Sequence, residues 1–506
     1  MLLSRQTIGQ IKSDAAEVPA DNYFELPEKV LQFGTGVLLR GLTDYFIDKA
    51  NKQGIFNGRI VVVKSTDSGD TEAFSKQDNL YTICMKGIVD GKKVEENIIN
   101  ASISRVLSAK KNWGAILNCA TNPEIQLVIS NTTEVGIVLV KESIHDSPPL
   151  SFPAKLLSVL YERYNFFKGD PEKGMVIIPT ELLPNNGEKL LNILVELASF
   201  NQLEEPFVKW MKEHNSFCNS LVDRIVPGKL SPTHQSETEN ILGYHDELMF
   251  MSEVYRLWAI DPDTERVKDV LSFSKVDPGL IIAPDIHLYR ELKLRLLNGS
   301  HTLSCGLAHL AGFTFVKEAM QDKFFSSYVK TLMMEEITPA ITGKEITTQV
   351  AIDFANKVLD RYRNPFLEHK WLSITLQYSS KIKMRDVPIL LNYFERFGKP
   401  PSLISLGFAA HILFMRAEKK DDGNYYGNAN GKNYLIEDAN VAWYAEKWKS
   451  AETIVKTVLS NADLWGRDLS NLTGFEEAVA TNLKLMEQKG AATVVREFAY
   501  EGSSEP

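Results

Sequence analysis

The sequence predicts two domains of different class: an α/β domain with a mostly parallel sheet over residues 1–280, and an all-helical domain over residues 281–506. Three observations carry this. In the first half, short Val- and Ile-rich runs alternate with helix-period segments, the pattern of a parallel sheet covered by helices. The first run, KVLQFGTG (Lys29–Gly36), closes on two glycines and opens directly into an amphipathic segment. After about Pro278 the strand patterns fade and long helix-period segments take over. The length of 506 residues also exceeds the ~250–300 at which one core stops growing.

Each element follows from local pattern. In VLLRGLTDYFIDKANKQG, the residues Leu38, Leu42, Tyr45, Phe46 and Ala50 recur at helical period, and Gly54 suits the C-terminal cap. RIVVVKST (Arg59–Thr66) is a buried strand, which completes strand, glycine turn, helix, strand: the first unit of a nucleotide-binding sheet. The next stretch breaks the rhythm, because Asp90-Gly91 between alternating segments signals a hairpin, read as an antiparallel insert or edge. The rhythm resumes with a helix at WGAILNCAT, a strand at IQLVISNTTEVG that ends in polar residues, a helix at AKLLSVLYERYNFF, a strand at GMVIIPTELLPNNG and a helix at GEKLLNILVELASF. In the second half GNYYGNANGKN reads as a polar surface loop between helices.

Composition bounds the function. With 44% hydrophobic and 24% charged residues the chain is globular. A net charge of −9 argues against nucleic acid as a partner. Four cysteines without CxxC spacing argue against structural zinc or a disulfide framework, and nine scattered histidines show no HExxH. No apolar N-terminal leader region and no membrane-length apolar run is found, so a soluble cytoplasmic protein with no membrane partner is expected.

Two stretches carry chemistry. At Gly34-Thr35-Gly36 the backbone can approach a pyrophosphate at the start of a helix, although Leu39 lies where a third glycine would stand in GxGxxG. The acidic residue that would hold the ribose of NAD is displaced to Asp67, and Lys64 leaves NADP open. The second stretch is KLRLLNGSHT (Lys293–Thr302). Reduction of a ketone leaves negative charge on oxygen, to be met by a proton donor and by oxyanion donors. At ~100° per residue Lys293, Asn298 and His301 fall within about 140° of one another, with Asn298-Gly299 expected to end or distort the helix. By spacing alone, the favoured explanation of the stretch is a solvated Lys293 and Arg295 with a C-cap at Asn298-Gly299.

The spacing Lys293-x4-Asn298-x2-His301 resembles the catalytic signature of the long-chain polyol (mannitol) dehydrogenases. FCNSLVDRIVPG (Phe217–Gly228) is similar to that family's segment around a Val-Asp-Arg-Ile core, with a departure upstream at Asn215, where an apolar residue is usual. Gly34, Gly36 and Arg40 match the family's glycine turn. The resemblance implies a metal-independent enzyme with a Rossmann-type N-terminal domain for a nicotinamide cofactor and a helical domain for substrate. It implies Lys293 as the acid/base, and Asn298 and His301 as carbonyl-polarising and orienting groups. NAD is the expected cofactor, held by Gly34, Thr35, Gly36, Arg40, Asp67, Asn131 and Thr132. In PTELLPNNG, Glu181 and Leu182 stand where mannitol enzymes have Asp-Asn, and Asn186 aligns with a further substrate-binding Asn. Asp223 is either a sugar-hydroxyl partner or an ion-pair partner of Arg224.

Four further segments, CATNPEIQLVISNTTEVGI, VIIPTELLPNNGEKLL, LKLRLLNGSHT and RNPFLEHKWLSITLQYSSKIKMR, are similar to the branch of the family that acts on hexuronates. That implies reduction of D-tagaturonate to D-altronate in hexuronate catabolism. A fructuronate-reducing or mannitol-type 2-dehydrogenase is the alternative, and a nucleotide-binding regulator would not need Lys293, Asn298 and His301. A sugar-acid substrate requires a cation for its carboxylate. Lys381, Lys383 and Arg385 alternate in SSKIKMR, and RYRNPF offers Arg361 and Arg363. The family's Ser-Lys pair at this point implies Lys381. A monomer or small homo-oligomer is expected.

Overall fold

The computed structural model describes residues 1–11, 14–65, 71–132, 136–262 and 264–501. Asp67 therefore lies outside the described residues. The chain divides into two compact units, Met1–Gly87 with Lys93–His287, and Leu288–Pro506 with the hairpin tip Ile88–Lys92.

In the first unit the elements run β1 (Glu28–Phe33), α1 (Val37–Gly41), α2 (Thr43–Lys52), β2 (Arg59–Lys64), α3 (Glu72–Lys76), β3 (Tyr81–Val89), β4 (Lys92–Asn100), β5 (Ile103–Ser108), α4 (Ala109–Cys119), β6 (Leu127–Ser130), α5 (Phe152–Phe166), β7 (Val176–Pro179), α6 (Asn186–Phe200), α7 (Glu205–His214), β8 (Ser216–Phe217), β9 (Asn219–Asp223), β10 (Phe250–Glu253), β11 (Leu257–Asp261) and β12 (Leu280–Ile282). Six of the strands form one parallel sheet in the order β5-β2-β1-β6-β7-β8. Its strands read as unbroken apolar runs because both faces are covered. Val30, Ile60, Val62, Leu127 and Ile129 enter one core, while Leu31, Phe33, Val61, Val63 and Val128 enter the other. From β1 the chain winds outward through β2 to β5, then returns to β6 on the other side and continues through β7 to β8. Strand order thus reverses between β1 and β6, and ligands of open α/β sheets bind outside the carboxyl ends of the strands at such a point.

The insert is a separate three-stranded sheet, β10-β3-β4, and not an edge of the main one. Its turn residues Asp90 and Gly91 both have positive φ, 51° and 74°, as a tight two-residue hairpin requires. The first helix is not continuous: at Leu42 (φ −125°, ψ −72°) it breaks into α1 and α2. Gly54 (φ 68°) closes α2, with its N–H on Asn51 O (2.9 Å) and the Ile55 N–H on Ala50 O (2.9 Å). Asn215, where the family usually has an apolar residue, accepts from the Met175 N–H (2.8 Å) and donates to Trp210 O (3.3 Å). Its side chain joins the entry of β7 to the end of α7.

The second unit is helical around one large core, with one exception. The expected loop at 423–433 is part of a three-stranded antiparallel sheet: Glu418–Lys419, Tyr425–Ala429 and Lys432–Leu435. Asn430-Gly431 supplies a second two-residue turn (φ 53° and 76°), and buried Tyr434 fixes the sheet by donating to Phe414 O (2.8 Å). The Asn-Gly pair is the local sequence signal for a hairpin here.

Behind the end of β1, Asp44 is fully buried and accepts from Thr43 Oγ1 (3.0 Å) and Tyr81 OH (3.3 Å). Burial pushes its carboxyl up from 3.8 to about 6, against the lowering effect of Thr43, Gln32 and Arg40. The folded pKa lies above the unfolded one, so the native state holds the extra proton between the two, and stability falls as pH rises through that window. In denaturant titrations from about pH 4 to about 8, the stability of wild type minus that of Asp44→Asn should fall between about pH 4 and 6 and be flat above about pH 7. A flat difference throughout would mean that the carboxyl titrates as if exposed.

Candidate active site

The carboxyl ends of β1 and β6 carry the predicted cofactor residues. Gly34 has φ 132°, and a Cβ there would lie 2.8 Å from Asn131 O and 3.0 Å from Leu39 Cδ1. The fold itself therefore requires this glycine. Gly36 differs. Its φ is −65°, it is exposed, and a Cβ would meet nothing within 4 Å. Any side chain fits at Gly36 as the chain stands, so the open space in front of it is where a bound group can approach the backbone. Asn131 is tied in by its N–H on Phe33 O (3.0 Å) and its amide on Thr180 Oγ1 (2.9 Å). Thr132 places its N–H (2.8 Å) and hydroxyl (3.0 Å) on Glu181, which also accepts from Ser130 Oγ (3.1 Å). Glu181, noted in the sequence only as a departure, thus joins the ends of β6 and β7.

Arg40 points away from this turn. Its guanidinium is buried among the rings of Phe250 (4.9 Å), Tyr81 (5.3 Å) and Phe74 (5.4 Å) and donates to Leu248 O (3.1 Å). It holds the insert against α1 and lends charge, not contact, to the turn. Asn186 also has a structural role. It is fully buried, its amide donates to Pro179 O, Glu181 O and Ser220 O (3.0–3.1 Å), and its oxygen accepts from the Gly187 (3.0 Å) and Ser220 (2.9 Å) N–H groups. No donor is left for a substrate, which corrects the sequence-based assignment. Asp223 is buried at the end of β9, while Arg224 donates to Glu253 O (2.9 Å) and Gly41 O.

In the helical unit, Lys293–Gly299 is a wide turn with i→i+5 hydrogen bonding that runs straight on into the helix Ser300–Leu310. Asn298-Gly299 is therefore neither a cap nor a stop. Taking up one extra residue in a turn changes the geometry of everything after it. The angle from Lys293 to Asn298 falls from about 140° to about 40°, and His301 comes within about 20° of Lys293 on the other side. All three share one narrow face. Side chains hold the turn open: Ser300 Oγ donates to Leu296 O (2.5 Å), Tyr362 OH to Leu297 O (2.8 Å) and Thr302 Oγ1 to Asn298 O (2.7 Å). Gly299 lies so close to Asp386 that a Cβ would come 2.8 Å from Oδ1.

His301 is 8% exposed, stacked on Tyr362 (4.0 Å, 12°) and edge-on to His369 (5.3 Å) and Trp371 (5.8 Å). Burial, then His369, Arg361, Arg385 and Lys381, drive its pKa well below 6.5, so the ring is neutral. Its buried Nε2 has no hydrogen-bond partner among the described residues. The sequence reading missed Tyr362, His369 and Trp371. All lie in stretches it quoted, but aromatic side chains there give no signal distinct from core.

Of the candidate cations, Arg295 is engaged with Glu291 (2.9 Å), Met384 O and Arg385 O (both 2.8 Å), Arg363 faces Asp360 (3.9 Å), and exposed Lys383 donates to Asp463 O (3.1 Å). Lys381 and Arg385 lie on the helix Tyr378–Arg385, in which i and i+4 share a face. The alternation seen in the sequence therefore separates Lys383 from the other two. Among the described residues no group of three His, Cys, Asp or Glu could hold a metal, and no helix is long and apolar enough to cross a membrane.

Models of the mannitol dehydrogenase Rossmann domain and the mannitol dehydrogenase C-terminal domain match residues 28–272 and 285–487. The chain belongs to the mannitol dehydrogenase family. Among curated relatives it is 36% identical to the altronate oxidoreductase of Halalkalibacterium halodurans, covering 92% of both chains, and 36% identical to that of Bacillus subtilis, covering 95% of this chain and 97% of the other. Two solved structures share the fold. One is Pseudomonas fluorescens mannitol 2-dehydrogenase in ternary complex with NAD and D-mannitol (23% identity, TM-score 0.69, 99% and 100% covered). The other is a substrate-free D-sorbitol dehydrogenase (19% identity, TM-score 0.78, 98% and 100% covered). As a member of this family the chain is an oxidoreductase acting on CH–OH groups.

The two glycines of the turn separate fold from function. Gly36→Val should leave the melting temperature near wild type but weaken NADH binding, read by fluorescence titration, by about tenfold or more (~1.4 kcal/mol). Unchanged binding would place the cofactor elsewhere.

Proposed function

We propose that the chain reduces D-tagaturonate to D-altronate with NADH, and catalyses the reverse oxidation. Two things support this reading over a neutral polyol: the altronate oxidoreductases it is similar to along nearly its whole length, and one observation that carries most weight. Lys381 and Arg385 have no carboxylate partner among the described residues, and both act on the ring of His301. Such a face suits an anionic sugar better than mannitol. Fructuronate, with the same charge, is the second reading.

Bound at the Gly34–Gly36 turn, the nicotinamide would supply the hydride for the carbonyl carbon. Its pyrophosphate would lie in the open space at Gly36, with Asn131 and Thr132 beside it at the end of β6. The residues of the helical unit handle the oxygen. Lys293 Nζ gives a proton to the oxygen as charge develops. Asn298, through its amide, and neutral His301, in the tautomer protonated on Nε2, donate hydrogen bonds to the same oxygen. A neutral imidazole adds no charge that would hold substrate and product equally. We place the enzyme in the cytoplasm, as a monomer or small homo-oligomer, and NADP stays open through Lys64.

The test follows NADH oxidation with tagaturonate, fructuronate and fructose, in wild type and in Lys293→Met. Wild type should prefer tagaturonate. The variant should lose at least ~10²-fold in kcat, the lower end for a positioned acid/base, while its NADH affinity stays near wild type. Preference for fructose would overturn the sugar-acid reading, and a variant that keeps most of its kcat would remove Lys293 from the chemistry.

A further inference from the structure

The helical unit holds two cations that no carboxylate among the described residues meets in an ion pair. Lys381 and Arg385 lie one turn apart on the helix Tyr378–Arg385, both half-buried. Lys381 Nζ donates to one carbonyl, Ile374 O (2.7 Å). Arg385 Nη1 donates to Thr302 Oγ1 (2.9 Å), the residue next to His301, and its buried Nε has no partner. One contact for a guanidinium with five N–H donors leaves most of its capacity unspent. The adjacent carboxyl does not supply it. Asp386 is fully buried with no hydrogen bond on either oxygen, and burial raises its pKa well above 3.8 against the lowering effect of Arg385 and Arg295, which disfavours its charged form. Burial depresses the pKa values of both Lys381 and Arg385, and Arg385 further depresses that of Lys381, a repulsion that a bound anion would relieve.

The position of Arg385 is fixed from two sides. Its backbone carbonyl accepts from Arg295, and its side chain is held by Thr302, whose hydroxyl in turn donates to Asn298 O. The guanidinium is thus joined by hydrogen bonds to the turn that carries Lys293 and Asn298. A planar fork held in this way suits a carboxylate, which it can meet with two parallel hydrogen bonds, whereas an ammonium meets it as a point charge.

We propose that Arg385, with Lys381 beside it, binds the carboxylate of the sugar acid and so sets the preference for uronates over neutral sugars. The inference rests on the sugar-acid reading above and deepens it, since the family resemblance in the sequence implied Lys381 alone and the structure points to Arg385 as the residue that meets the carboxylate. Lys293 cannot serve, because it gives up its proton during the cycle.

The test compares inhibition of ketouronate reduction by altronate and by altritol, the same carbon chain without the carboxylate. In Arg385→Gln the inhibition constant for altronate should rise ~10- to 150-fold, the range for a charge-assisted hydrogen bond, while that for altritol changes less than about twofold. Arg385→Lys should lose less than Gln. If Arg385→Gln melts far below wild type, Lys381→Met must show the same selective loss. An equal loss for altronate and altritol, or no loss for either, overturns the carboxylate site while leaving the sugar-acid reading in place. A wild type that reduces fructose but no ketouronate overturns both.

Discussion

The wide turn at Lys293–Gly299 is the constraint on which the chemistry of the helical unit depends. A regular helix would set Lys293 and Asn298 on different faces. One residue taken up by i→i+5 bonding brings Lys293, Asn298 and His301 onto one. Such a turn is uncommon because it leaves carbonyls poorly served, and here their needs are met by named groups: Ser300, Thr302 and Tyr362. Tyr362 does double duty, since its ring stacks on His301 while its hydroxyl holds Leu297 O. Gly299 completes the arrangement, because a Cβ there would come 2.8 Å from Asp386 Oδ1 and 3.1 Å from Ile389 Cδ1.

Electrostatics in the same region follow from what is absent. The chain carries a net charge of −9, yet His301 is surrounded by Arg361, Arg385, Lys381 and His369. Of these, Lys381 and Arg385 meet no carboxylate among the described residues, and buried positive charge without counter-charge is costly. The cost is limited by keeping His301 neutral, and a bound anion would offset the rest. Local cations therefore override the global charge around His301, where we propose that an anionic sugar is recognised.

Much of this was legible in the sequence. The parallel sheet was, because strands buried on both faces leave unbroken apolar runs, and the Asp90-Gly91 hairpin was, because two positive φ values demand that pair. The break at Leu42 was not, since apolar residues at helical period continue through it. The small sheet around Asn430-Gly431 was hidden by polar side chains that pack on few neighbours. Lys293, Asn298 and His301 were identified by resemblance and spacing, but their convergence was not, because no residue type marks a wide turn. The roles of Arg40 and Asn186 differ from expectation for one reason: sequence spacing places a residue near a site but does not say which way its side chain turns. Arg40 turns into an aromatic cluster and Asn186 into backbone carbonyls.

In the α/β unit, Gly34 is needed by the fold and Gly36 by what approaches it, so the two halves of the motif answer to different demands. The helical unit divides its labour similarly, with Tyr362, Ser300 and Thr302 shaping the turn and, in the proposed mechanism, Lys293, Asn298 and His301 facing the oxygen. The most direct test of this division is a crystal structure of the enzyme with NAD and altronate. It should show the reacting hydroxyl oxygen within hydrogen-bond reach of Lys293 Nζ, roughly 2.6–3.2 Å, with Asn298 and His301 Nε2 on the same oxygen and the wide turn intact. A reacting oxygen away from Lys293, or a turn rewound to a regular helix in the complex, would contradict the account.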